Sequence, residues 1–267
     1  MSNLDRFAVV TGASSGIGVA YAERLAERGY NLILLARRQN RLEEIASRIQ
    51  HKTARTVEIV NADLGDAADL LRVETLLTGR DDIDVLINNA GLGALGPTSS
   101  VPAAALENLI KINVLALTRL THAVLPAFLR RNSGTIVNIA SIIALMPTPS
   151  GAGYSGTKGY VLNFSRSLQM ELAKTGVTVQ AVLPGPVRTE FFEASGLAQA
   201  PFPDELFMSA QELVDTALTA LDQRELVCFP ALEDTSFWTA FEDARLALIR
   251  ALTSSGRPAT RYSATAR

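Results

Sequence analysis

Two periods of apolar residues alternate along the chain. Short continuous apolar runs at Phe7–Val10, Asn31–Ala36, Thr56–Val60, Val85–Ile87, Thr135–Ile139 and Val177–Val182 read as buried strands. Between them apolar residues recur at helical spacing. Val19–Arg28 shows it through Ala22, Leu25 and Ala26, with Gly29 as the stop. Arg41–Gln50, Ala103–Arg131, Ser155–Lys174, Ala210–Leu221 and Trp238–Leu252 read as further helices, and Leu226–Phe229 as a last strand. Strands that are apolar throughout must be covered on both faces, so the pattern predicts an α/β fold with a doubly wound parallel sheet in three layers.

No repeat, linker or change of composition divides residues 1–190, and we expect a single domain over 1–252. Within it, 184–209 is richer in Pro, Gly, Ala and Phe and reads as a mobile apolar flap over a substrate. Residues 253–267 read as a polar tail that frays. Apolar residues make up 48% of the 267, enough for a sizeable core, and 25 basic against 27 acidic residues leave a net charge of −2. That balance gives no electrostatic reason to expect nucleic acid or a membrane surface as partner. One cysteine, Cys228, excludes an internal disulfide. With no leader-like start and no apolar run near 20 residues, we expect a soluble, cytoplasmic protein.

Candidate chemistry gathers at the ends of the strands. Gly12, Gly16 and Gly18 sit between the first strand and first helix, where a turn of glycines lets backbone approach a pyrophosphate at a helix N-terminus; a turn that binds nothing is the plain alternative. The second strand ends in Ala36-Arg37-Arg38 with no carboxylate. An acidic residue there suits the ribose of NAD, whereas arginine suits the 2′-phosphate of NADP; the other reading is a solvated start to a helix. Asp63 ends the third strand, as an adenine acceptor or a helix cap, and Asn88-Asn89-Ala90-Gly91 follows the fourth with small residues that let a flat ring lie close.

Ser141 closes the fifth strand, placed to hydrogen-bond a carbonyl or to cap a turn, and Asn113 is a polar residue inside a long helical pattern. Tyr154 and Lys158 lie one helical turn apart, so an ammonium would stand beside a phenol and favour its ionised form. A surface pair on a helix has the same spacing.

Taken in order, Thr11–Gly18, Asn88–Gly91, Asn113, Ser141, Tyr154 to Lys158 and Pro184–Thr189 closely resemble the short-chain dehydrogenase/reductase family over roughly residues 5–190. The resemblance implies a Rossmann-like fold and hydride transfer between a nicotinamide and a carbonyl. It makes Tyr154 the acid/base, Ser141 the holder of the carbonyl oxygen, Lys158 the group that lowers the tyrosine pKa and binds the ribose, and Asn113 the anchor of a proton-relay water. Cofactor contacts fall on Gly12, Ser14, Ser15, Ile17, Gly18, Arg37, Arg38, Asp63, Leu64, Asn89, Ala90, Gly91, Tyr154, Lys158, Pro184, Gly185, Val187 and Thr189, with no metal. Arg37 makes NADP(H) the expected cofactor in preference to NAD(H). Ser15 stands where some NADP-dependent members carry a basic residue, which leaves the phosphate to Arg37.

The expected substrate is a small hydrophobic ketone or aldehyde and its alcohol, in a pocket of Leu92, Ile142, Ile143, Leu145, Met146, Phe191, Phe192, Leu197, Phe202, Phe207 and Met208. A 3-oxoacyl chain on a carrier and a non-catalytic NADP-binding regulator are the alternatives. A nucleotide-sugar epimerase is disfavoured by the mere 80 or so residues after Pro184. Family members commonly pair through the two long helices, which implies a homodimer or homotetramer.

Overall fold

A computed structural model of the chain describes residues 6–195 and 202–262. β1 (Phe7–Thr11), α1 (Gly16–Glu27), β2 (Asn31–Ala36), α2 (Gln39–Thr53), β3 (Val57–Asn61), α3 (Ala67–Thr78) and β4 (Ile83–Asn88) form the first half. The second half runs α4 (Ala103–Ile110), a π-helical stretch (Lys111–Ala116), α5 (Leu117–Arg131), β5 (Gly134–Ile139), α6 (Ala152–Glu171) and β6 (Val177–Val182). It continues through β7 (Val187–Arg188), α7 (Phe191–Ala194), β8 (Met208–Ser209), α8 (Ala210–Asp222), β9 (Val227–Cys228) and α9 (Ser236–Leu252). Seven parallel strands lie in the order β3-β2-β1-β4-β5-β6-β9, a Rossmann-like α/β sheet.

Alternate residues of β1 and β2 feed opposite cores, which is why these inner strands carry no polar face. Ala8, Val10, Leu32 and Leu34 join Tyr21, Leu25, Leu42 and Leu213 on one side. Phe7, Val9, Ile33 and Leu35 join Leu70, Val73, Leu120 and Phe128 on the other. Cys228 is buried in the first core, where burial pushes its thiol up to about 12 and leaves it a packing residue.

Three departures from the expected elements bear on the site. The run 103–131 is interrupted at Lys111–Ala116 by π-helical turns, which turn Asn113 inward so that it is only 2% exposed. That run is long and apolar enough to cross a bilayer, yet 56% of its apolar window is buried inside the protein, as befits a core helix. The helix α3 goes unnamed in the pattern, although Asp66 caps it by accepting from Ala68 and Asp69 N–H and Leu70, Val73 and Leu77 bury its inner face. The region 184–209 holds regular structure in its described part: β7 pairs with β8, and Val187 is tied into the core. Leu197 lies outside the described residues.

The chain divides into two compact units, residues 1–230 and 231–267. Within the second unit α9 stacks Trp238 on Phe241 (5.4 Å between centroids) and pairs Arg245 with Glu242 at 2.8 Å.

Candidate active site

The C-terminal ends of β1, β2, β4, β5 and β6 border a cavity of about 810 Å³. Parallel strands all end at the same edge, so their terminal loops converge there. Gly12 and Gly16, at φ +66° and +52°, make the turn after β1 in a backbone region that other residues adopt at a cost. A Cβ added at Gly12 would lie 2.9 Å from Ala90 Cα, and one at Gly18 only 2.3 Å from the Gly12 carbonyl oxygen. Thr11 locks this turn to the next strand end: its hydroxyl donates to Ile87 O (3.1 Å) and accepts from the N–H of Asn89 (3.0 Å) and Ala90 (2.9 Å). The Asn89 amide donates back to Thr11 O at 2.9 Å.

At one end of the cavity stand Arg37, Arg38, Asp63 and Leu64. Arg37 lies 3.7 Å from the Asp63 carboxylate, and Arg38 donates to the Ser14 hydroxyl at 3.2 Å. Asp63 does not cap α3, since that is the work of Asp66; instead its carboxylate accepts from Gly65 N–H at 2.9 Å. Ser14, Ser15, Ile17, Ala90, Gly91, Pro184, Gly185, Val187 and Thr189 line the cavity with them. Gly18 and Asn113 stand behind the lining, Gly18 under the turn and Asn113 beside Gly91 and Lys158.

At the other end Ser141, Tyr154 and Lys158 come together. Ser141 follows β5 and caps a 3₁₀ turn (Ile142–Leu145), its hydroxyl accepting from Ile143 N–H at 3.3 Å. The same hydroxyl donates to Pro184 O at 3.4 Å, and Ser141 stands near enough to Tyr154 to oppose the effect of burial on its phenol. Tyr154 and Lys158 lie on α6, which Ser155 fastens to the 3₁₀ turn by donating to Ile143 O at 3.1 Å. Lys158 is 6% exposed and its ammonium donates to Ile139 O at 2.7 Å. Asn113 donates to Leu92 O (2.9 Å) and Thr157 Oγ1 (3.1 Å) and accepts from Leu92 N–H (2.8 Å), which holds the loop after β4 against α6.

The electrostatics differ from the simple spacing argument. Burial brings Lys158 down to about 8, and burial also pushes the Tyr154 phenol above its usual value, with only Ser141 acting against it. The Lys158 nitrogen is 5.7 Å from the Tyr154 ring centroid and gives one of its three N–H donors to the strand carbonyl. Burial is the larger effect and decides the direction of the Tyr154 shift.

Of the apolar residues expected around a substrate, Leu92, Ile142, Ile143, Met146, Phe191, Phe192 and Phe202 line the cavity. Leu145, Phe207 and Met208 do not. Phe207 packs its ring on Phe192 and Phe202 from behind (5.8 and 6.5 Å), and Met208 packs against the core. Glu190, on the rim beside Arg38, carries no sequence signal of its own.

The residues fit a nicotinamide dinucleotide: a glycine turn too tight for a Cβ, guanidinium groups at one end, and a buried ammonium with further N–H bonds to give at the other. The family model described as short chain dehydrogenase matches residues 6–200. Very-long-chain 3-oxoacyl-CoA reductase-B of Danio rerio is 38% identical over 193 residues, which cover 71% of this chain and 62% of that protein. The chain thus matches less than two thirds of that relative's length. A short-chain dehydrogenase from Sphingobium yanoikuyae, solved in complex with NADPH, superposes with TM-score 0.93 at 41% identity, covering 97% of this chain and all of that one. The bulky-bulky ketone specific alcohol dehydrogenase from Comamonas testosteroni gives 0.88 at 39% identity, over 98% and 99% of the two chains. Sequence motifs, sheet order and site geometry agree with these matches: the chain belongs to the short-chain dehydrogenase/reductase family.

Proposed function

We propose that the protein is an NADP(H)-dependent reductase of ketones or aldehydes with bulky apolar substituents, and of the corresponding alcohols in reverse. The observation that carries this is the meeting of two unlike ends of one cavity at Ser141 and Tyr154. Arg37, Arg38, Asp63 and Glu190 stand at the cofactor end, whereas Leu92, Ile143, Met146, Phe191 and Phe192 wall the other alongside Ser141, Tyr154 and Lys158. A substrate held there is selected by apolar area and shape. The bulky-ketone enzyme and the NADPH complex among the solved relatives support the reading.

When bound, NADP(H) supplies or accepts the hydride. Tyr154 donates its proton to the carbonyl oxygen, which Ser141 holds by a hydrogen bond. Because burial keeps the phenol protonated, reduction needs no prior ionisation near neutral pH, while alcohol oxidation calls for a deprotonated tyrosine and rises with pH. Lys158 presents donors to the ribose, and Asn113 orders the loop beside it and anchors a relay water. Arg37, with Arg38, takes the 2′-phosphate. The outer faces of the long helices expose Ile110, Leu115, Tyr160 and Met170, which supports a homodimer or homotetramer paired there.

A second reading has a specific observation behind it: the Danio rerio relative is a 3-oxoacyl-CoA reductase. A panel of diaryl and aryl-alkyl ketones, aldehydes and 3-oxoacyl thioesters, assayed with NADPH and NADH by loss of nicotinamide absorbance, separates them. Turnover of bulky ketones with NADPH is the expected result. Turnover confined to thioesters transfers the assignment to the second reading, and NADPH binding with no turnover of any carbonyl would make the chain a cofactor-binding regulator.

A further inference from the structure

Arg38 reaches both banks of the cofactor end. Its Nε donates to Ser14 Oγ at 3.2 Å and its Nη2 to Ser14 O at 3.3 Å, in the glycine turn. Its Nη1 donates to Glu190 Oε2 at 2.7 Å, in the residue directly before α7. Arg41 stands 3.9 Å from the other oxygen of Glu190. On the same rim Arg37 faces Asp63 at 3.7 Å, a looser pair. The guanidinium of Arg38 holds the Glu190 carboxyl below the usual carboxylate range. Both members of the tight pair line the cavity. The end that would receive a phosphate dianion therefore already contains an anion bound to one of its two arginines.

A guanidinium offers a limited fork of N–H bonds, and two anions on one fork repel each other. We propose that Glu190 is a built-in competitor for the cofactor's 2′-phosphate: it occupies Arg38 until the phosphate displaces it, and so sets how strongly NADP(H) is preferred to NAD(H). The inference rests on the NADP(H) reading above. A cofactor without the 2′-phosphate leaves the Arg38–Glu190 pair intact and gains nothing from its removal. Glu190 carries this role because its pair with Arg38 is hydrogen-bonded, whereas the Arg37–Asp63 separation is beyond hydrogen-bond reach.

The test measures binding to the full chain, with NADPH and NADH followed by fluorescence and 2′,5′-ADP and 5′-AMP by calorimetry. Glu190→Gln keeps the shape of an exposed side chain and removes its charge. It should tighten NADPH and 2′,5′-ADP about two- to fivefold, the size of an exposed ion pair, and leave NADH and 5′-AMP unchanged. In an Arg38→Met background the same change should lose its effect. Equal tightening of all four ligands, no tightening at all, or an undiminished effect without Arg38 overturns the competition. A wild-type chain that binds NADH better than NADPH overturns the NADP(H) reading, and this inference with it; NADPH preference that Glu190→Gln leaves untouched overturns this inference alone.

Discussion

Along β1 and β4 the cavity wall is backbone. The Gly12 turn, the Thr11 hydroxyl and the amide of Asn89 are bonded to one another so closely that a single added carbon at Gly12 or Gly18 would collide with main chain. Across the cavity the wall is side chain. Phe191 lies over Tyr154 at 5.4 Å, and Phe192 meets Phe191, Phe202 and Phe207 edge-on at 5.5 to 6.0 Å. A hydrogen-bonded backbone admits one ligand geometry, while ring packing keeps most of its energy when a ring shifts. The first wall suits a constant cofactor, the second a variable substrate, and Ser141, Tyr154 and Lys158 lie at their seam.

The seam should respond most strongly. Tyr154→Phe is expected to lower kcat about 10²- to 10⁴-fold with NADPH affinity nearly unchanged, and steady-state rates beside a fluorescence titration would show it; retained turnover would remove Tyr154 from the chemistry. Lys158 comes next. With its folded value brought down to about 8 from 10.5, the unfolded chain binds the extra proton between those pH values, so this residue's contribution to stability rises with pH across that window. Lys158→Met should accordingly be more stable than wild type by about 3 kcal/mol at pH 7, with the gap closing as pH rises from 8 towards 10.5. Urea unfolding at pH 7 and pH 9.5 measures the difference, and a gap independent of pH would refute it.

The walls themselves separate at smaller energies. Gly18→Ala drives a methyl into the Gly12 carbonyl and should destabilise the protein by about 1–3 kcal/mol, and it should also abolish the rise in Tm that NADPH gives the wild type. In the flap, Phe192→Ala should raise KM for a bulky ketone about two- to tenfold and leave the NADPH-dependent Tm shift intact. If Phe192→Ala also erased that shift, the two walls would not be independent.

Elements whose signal is local were legible. β2 and β6 span the residues their apolar runs mark, and α6 carries Tyr154 and Lys158 one turn apart as their spacing requires. Through-space features were not. The π-helical turns at Lys111–Ala116 leave no mark in the helical spacing beyond the polar Asn113, and the expected strand at Leu226–Phe229 contracts to Val227–Cys228 because pairing with β6 reaches only that far. Glu190 meets Arg38 across 152 residues of chain, a pairing that no window along the sequence contains. Leu145 and Phe207 have the right composition for the pocket, yet the turn and the ring cluster direct them away from it.

By itself the sequence determined the alternation of strands and helices, the glycine turn and the candidate residues at strand ends, because periodicity and backbone sterics act over a few residues. Tertiary structure decided that β1 lies between β2 and β4, that Ser141 meets Tyr154, and that both Tyr154 and Lys158 are shifted towards their neutral forms. Those outcomes depend on burial and on partners distant in the chain, and the free energy of a charge is set by what surrounds it in space.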